Sequence, residues 1–328
     1  MIHVIKRVAL IVVAVVATGL FYTAPAAAQA TRTWISGVGD DANPCSRTAP
    51  CKTFAGAISK TAGGGEINCL DPGGFGGVTI TKSITLMCDM TESGVLVAAT
   101  NAIIVNGSGV VVQINGLDIE GLGQTGVAGV NGIYFLNGAS LTVRNTKIRG
   151  FRNGYGINFA PSANATLVID NVQISESGIG SSSATGGILI SPAAGITAQA
   201  TITNTQVVNN INAGLRIDTI AVGAATAASA VVSNSVFANN TTGIQLKAPP
   251  GSGPARLMLA NSVVSGNSTA GIVSNGTTSV GRVGGTVITG NGNALTLSAG
   301  GVLYSYGNNQ LDGNTVDGAF TLPVIPTH

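Results

Sequence analysis

Leu141-Thr-Val-Arg-Asn145-Thr-Lys-Ile148 returns one period later as Leu167-Val-Ile-Asp-Asn171-Val-Gln-Ile174, and again as Ala200-Thr-Ile-Thr-Asn204-Thr-Gln-Val207. Two further copies are Val231-Val-Ser-Asn234-Ser-Val-Phe237 and Leu257-Met-Leu-Ala-Asn261-Ser-Val-Val264. Flanking copies put Gly116 and Gly285 at the Asn position, and the gaps of 29, 26, 33, 30, 27 and 24 residues average about 28. A second motif keeps the same rhythm: Gly132-Ile133, Gly156-Ile157, Gly187-Ile188, Gly214-Leu215, Gly243-Ile244 and Gly271-Ile272. Repetition at a fixed period of this size signals a solenoid.

Apolar residues at i and i+2 face one side of an extended strand. A strand that short cannot bury its face alone, so each coil must stack on the next at about 4.8 Å. Equivalent residues then form columns. Asn suits a turn column because it tolerates the left-handed conformation, and its amide can bond to the next Asn along. Asn145, Asn171, Asn204, Asn234 and Asn261 are the expected ladder. An antiparallel sandwich has no reason to repeat Asn and Gly-Ile in register, and a left-handed solenoid would need a hexapeptide period.

Ahead of the repeats, Lys6 and Arg7 precede an apolar run of 14 residues, Val8 to Phe21, and then Ala24-Pro-Ala-Ala-Ala28. This is the anatomy of a secretory signal, too short for the ~20 residues that span a bilayer. Its removal leaves 13 basic against 13 acidic residues. A near-neutral mature chain argues against nucleic acid or an anionic membrane as partner. Cys45, Cys51, Cys69 and Cys88 behind a signal read as disulfides. Three pairings are possible, and Cys45–Cys51 with Cys69–Cys88 is preferred because it closes a short loop and staples the first coils. Zinc spacing is absent, so no metal is expected.

The segments Trp34-Ile-Ser-Gly-Val-Gly-Asp-Asp-Ala-Asn-Pro-Cys45, Ala49-Pro-Cys-Lys-Thr-Phe-Ala-Gly-Ala-Ile58, Gly65-Glu-Ile-Asn-Cys-Leu-Asp-Pro-Gly-Gly-Phe75 and Val78-Thr-Ile-Thr-Lys-Ser-Ile-Thr-Leu86 add a likeness. They resemble the N-terminal portion of the pectate-lyase-like superfamily of right-handed parallel β-helices. Within it the chain is most similar to bacterial secreted right-handed β-helix repeat proteins. The resemblance implies right-handedness and an opening strand and short helix that cap the first coil. Phe54, Ala57 and Ile58, with Thr53 as N-cap, fit that helix. The expectation is an all-β chain: a single-stranded right-handed parallel β-helix with a short N-terminal capping helix. It divides into a signal peptide (1–28), a strand and capping helix with a disulfide loop (29–62), the coils (63–302) and a last coil with its cover (303–328). The mature chain is expected to be periplasmic or secreted.

Enzymes of this superfamily act on acidic polysaccharides with clustered aspartates and histidine, or with calcium and a basic residue. Here the only histidines are His3 and His328, which removes Ser-His-Asp and Cys-His arrangements. Asp118 and Glu120 point outward from one strand about 7 Å apart. With Arg149 they are the candidate catalytic residues for a lyase or an inverting glycosidase. The repeat register, however, lays Lys147 over Asp118 and Arg149 over Glu120, which reads as a solvated ion-pair ladder. The same register pairs Arg144 with Asp170 and Asp218 with Lys247. Asp40 and Asp41, with Asn43, could hold a cation such as calcium, but an Asx turn before the cap explains them better. A candidate ligand patch is Arg144, Lys147, Arg149, Arg152 and Tyr155 with Phe151 and, one coil earlier, Tyr134. Aromatics would stack sugar rings while arginines fork their carboxylates. The expected partner is a polysaccharide or cell-surface glycan, bound without catalysis. Cleavage of acidic polysaccharide and surface adhesion are the alternatives.

Overall fold

A computed structural model describes residues 29–89, 91–123, 127–220 and 225–326. The signal peptide expected at 1–28, His3 and His328 lie outside the described residues. Within them the chain winds into a parallel β-solenoid of three sheets, which we label A, B and C, with 11, 9 and 10 strands. Each complete coil runs from sheet A to sheet C to sheet B, and the last strands, Val302–Ser305 and Gln310–Leu311, join sheets A and C. One coil, for example, runs through Ser140–Arg144, Lys147–Arg149 and Tyr155–Phe159.

Inward columns fill the interior. On sheet C, Ile119, Ile148, Ile174, Val207, Phe237, Val264 and Ile288 stack in register, each fully buried. Leu141, Val143, Leu167 and Ile169 do the same on sheet A. Burying one such side chain contributes about 1.5–3 kcal/mol, which explains why the alternation is kept through every copy.

The Asn column is the left-handed turn between sheets A and C. Asn145, Asn171, Asn204, Asn234 and Asn261 have φ between 48° and 53°, and Gly116 and Gly285 share the sign at 79° and 59°. As a hydrogen-bonded ladder the column needs correction. Asn171 donates to Asn145 at 2.8 Å and Asn145 to Asn115 at 2.9 Å, but Asn204 turns to the Asp170 carboxylate instead. Asn234 and Asn261 make no side-chain hydrogen bond among the described residues. These side chains are exposed, and water competes for their amides.

The continuous ladder is a different column, buried at the turn between sheets C and B. Asn210, Asn240, Asn267 and Asn291 each donate Nδ2 to the next Asn, ending on Asn314, at 2.8–3.3 Å. Beside them stands the Gly-Ile column. A Cβ on Gly187 would lie 2.5 Å from the Gly214 carbonyl oxygen, and one on Gly243 2.6 Å from that of Gly271. Close approach of successive coils fixes these glycines, with no need for a left-handed φ.

At the N-terminus Thr53 caps the helix Phe54–Lys60, accepting from the Gly56 N–H at 2.9 Å, and Phe54 and Ala57 are buried against the first coil. The disulfides are Cys45–Cys51 and Cys69–Cys88. The strand Thr61–Cys69 joins sheet A directly after the helix, so the boundary drawn after residue 62 falls inside it. At the other end Tyr304 bridges to Thr321 and Phe320 packs on the core, closing the last coil.

Candidate functional site

The outer face of sheet C carries the candidate carboxylates, and pairing Lys147 with Asp118 and Arg149 with Glu120 is the observed strand register. The ion pairs differ from the expected ladder. Arg149 takes both carboxylates, donating Nη1 to Asp118 and Nη2 to Glu120 at 2.6 Å. Lys147 makes no ion pair among the described residues. A planar fork satisfies two acceptors spaced along one strand, which a single ammonium cannot. The hydrogen bond to Asp118 is the largest of the influences that raise the Arg149 pKa above its usual value, and the charges of both carboxylates add to it. A lyase base needs the opposite shift. The three side chains are 37–41% exposed, so these bridges stabilise the fold little.

They sit in a cavity of about 590 Å³ with Glu92, Leu96, Lys147 and Asn145 on its walls. A second hollow, about 470 Å³, shares Asn145 and Lys147 and continues along the solenoid past Asp89, Asn171, Gln173, Asn204 and Gln206. The two adjoin at Asn145 and Lys147, and together we call them the sheet C groove. Asp118, Lys147, Gln173 and Gln206 occupy one column along it. Gln173 and Gln206 were legible as that column, because each stands just before the last apolar residue of its repeat. Glu92 and Asp89 lie ahead of the clear repeats and carry no such signal.

The seven-residue ligand patch does not come together. Arg144 ends a strand of sheet A, and Lys147 and Arg149 lie on sheet C. Tyr134 and Tyr155 belong to sheet B, across a turn. Phe151 is fully buried and Tyr155 nearly so, so neither offers a ring to a sugar, and burial raises the Tyr155 pKa. Among the described residues no aromatic side chain lines either hollow. Arg152 follows in the turn after sheet C, against Gly123.

Two other expected pairs also change. Asp170 faces Arg144 in register but accepts from Asn204 and Thr203, which lower its pKa, and the charge of Arg144 adds a smaller part. Asp218 is aligned with Lys247 yet pairs with Arg216, at 2.5 and 2.8 Å, under the segment 179–185, where Arg216 also donates to the Ser183 carbonyl. That pair is buried although strand alternation points both side chains away from the core, and the Ser183 carbonyl ties Arg216 to the segment 179–185.

Asp40 accepts from the Ala42 N–H as an Asx turn, while Asp41 accepts from Lys52 and Thr53 in front of the helix. Among the described residues no three His, Cys, Asp or Glu side chains gather as metal ligands.

No protein-family model matches the chain, and no curated protein does. Among solved structures, the pectate lyase Pel9A matches with a TM-score of 0.58 at 15% identity, over 87% of this chain and 77% of that one. The Azotobacter vinelandii mannuronan C-5 epimerase AlgE4 A-module gives 0.43 at 14% identity, over 80% of this chain and 93% of that one. The Dettilon tailspike protein (gp208) gives 0.40 at 15% identity, over 76% and 52%. The first likeness shows the pectate-lyase-like right-handed parallel β-helix fold, and at that identity the fold alone.

Proposed function

We propose that this chain binds an extended polysaccharide along the groove of sheet C and does not cut it. The observation that carries the reading is the groove itself: two joined hollows, lined by columns of amide and charged side chains that repeat from coil to coil. Coils recur about every 4.8 Å, so a chain of sugars lying along the axis meets an equivalent side chain at each step. Primary amides donate and accept, which suits hydroxyl groups. The fold of a pectate lyase gives the reading a precedent for polysaccharide on such a scaffold.

Against catalysis stands the Arg149 clamp. The two carboxylates singled out as acid or base, Asp118 and Glu120, are engaged by one guanidinium. Export supports a glycan partner outside the cytoplasm: the apolar segment after Lys6 and Arg7 reads as a signal, and two disulfides suit an oxidising compartment.

The test is to incubate the purified mature chain with acidic and neutral polysaccharides, with and without calcium. Retention in polymer-containing gels and new reducing or unsaturated ends are measured together. Retention without new ends is expected. Any cleavage would replace this reading with the lyase or hydrolase one and send attention to Asp118, Glu120 and Arg149. No retention on any polymer would remove it.

A further inference from the structure

We infer that the sheet C groove selects a glycan free of carboxylate and sulfate groups, and that the clamp on Arg149 is what excludes anionic chains. The inference rests on the carbohydrate-binding reading and adds the class of chain. The two hollows are lined by four carboxylates, Asp89, Glu92, Asp118 and Glu120, against two cations, Lys147 and Arg149, a net charge of −2. Arg149, the side chain best shaped to fork a carboxylate, points both terminal nitrogens at the protein's own acids. Lys147 alone is left to greet an anion, and Asp89 and Glu92 flank it without an ion pair among the described residues. Exposed charges act over about 10 Å at 0.1 M salt, and the four carboxylates line adjoining hollows that share Lys147.

What the groove offers instead is neutral. The side-chain amides of Gln173 and Gln206 are exposed and hold no hydrogen bond among the described residues. Asn145, Asn171 and Asn204 border them along the same hollow. Their bonding capacity is matched by hydroxyls, whatever the linkage, and gains nothing from an anionic substituent.

The experiment is affinity electrophoresis of the wild type and of the triple variant Glu92→Gln, Asp118→Asn, Glu120→Gln. Gels hold a neutral glucan, mannan or xylan, or the anionic polygalacturonate or alginate. The substitutions keep side-chain shape, take the groove to a net charge of +1 and release Arg149; a thermal melt confirms that the variant folds. The wild type should be retarded several-fold by a neutral polymer and not by the anionic ones, and the variant should gain several-fold retardation in an anionic gel. Wild-type retention on an anionic polymer would overturn the inference while leaving carbohydrate binding intact. A folded variant that gains nothing would do the same. Should the variant fail to fold, the wild type decides: sedimentation with neutral polymer must be insensitive to NaCl, and salt-sensitive capture by an anionic polymer counts against the idea. Absence of wild-type retention on every polymer would instead remove the binding reading beneath it.

Discussion

Asn240 lies over Asn267, whose amide oxygen accepts from the Asn240 backbone N–H at 3.0 Å and from its Nδ2 at 3.3 Å. The same Nδ2 reaches back to the Val207 carbonyl at 2.9 Å, and the Asn240 oxygen in turn accepts from Asn210. One buried side chain thus ties three coils. Each buried group left unpaired costs about 1–3 kcal/mol. Asn240→Ala strands several, and we expect a loss of about 3 kcal/mol or more in urea unfolding. Asn234→Ala, in the exposed turn column, loses only the left-handed preference of Asn, about 1 kcal/mol. Equal costs for the two substitutions would show that the buried ladder contributes nothing special.

Gly214→Ala should push coils apart. The new Cβ would meet the Gly243 carbonyl oxygen at 2.8 Å and Asn240 Nδ2 at 2.9 Å, neither of which can withdraw without breaking a ladder bond. Overpacking of this kind costs about 1–3 kcal/mol. Gly180→Ala, with open space around its Cβ position, is the control and should unfold at the wild-type urea concentration. A Gly214→Ala midpoint equal to the control's would mean the coils can spread freely.

The fold was legible because its causes repeat. Inward apolar pairs, the left-handed Asn turn and the Gly-Ile approach each recur in register, and a single coil's chemistry is read several times over. The site was legible only where it shares that register: Asp118 under Lys147 and Glu120 under Arg149 followed from counting. Which cation reaches which acid did not follow, because a guanidinium can span two acceptors along a strand. The ligand patch failed for a related reason. Residues 144–155 are neighbours in sequence, but a solenoid turns two corners in that span, so contiguity scattered them over three faces. Likewise, the Asn column at the other turn, between sheets C and B, proved to be the ladder because burial, which excludes competing water, depends on which turn closes over the core.

Arg216→Met should be costly in a way its outward strand position does not suggest. It leaves the Asp218 carboxylate, 2% exposed, without its counter-charge. Breaking one partner of a buried pair costs about 3–5 kcal/mol, whereas replacing both with apolar residues is often nearly neutral. Arg216→Met with Asp218→Leu should therefore recover most of the loss in urea unfolding. The single variant should also lose the bond to the Ser183 carbonyl and cut faster in limited proteolysis at 179–185. Unchanged cleavage there would show that Arg216 does not hold the loop.

Asp41 makes the N-terminal cap sensitive to acid. Burial by itself would raise its pKa, but the Thr53 hydroxyl, the N–H groups of Thr53 and Lys52 and the charge of Lys60 outweigh that and lower it below the ordinary 3.8. A carboxyl whose folded pKa is depressed adds stability that is complete above its unfolded value, about 3.9, and that disappears as pH falls through the folded one. The wild-type melting temperature should therefore drop between about pH 4 and pH 2 by more than that of Asp41→Asn, which has no proton to take up there. At pH 6 the wild type should be the more stable, because the amide offers one acceptor where Asp41 uses both oxygens. Parallel melting curves for the two proteins from pH 6 to pH 2 would remove Asp41 from the acid response and leave it to the other carboxylates.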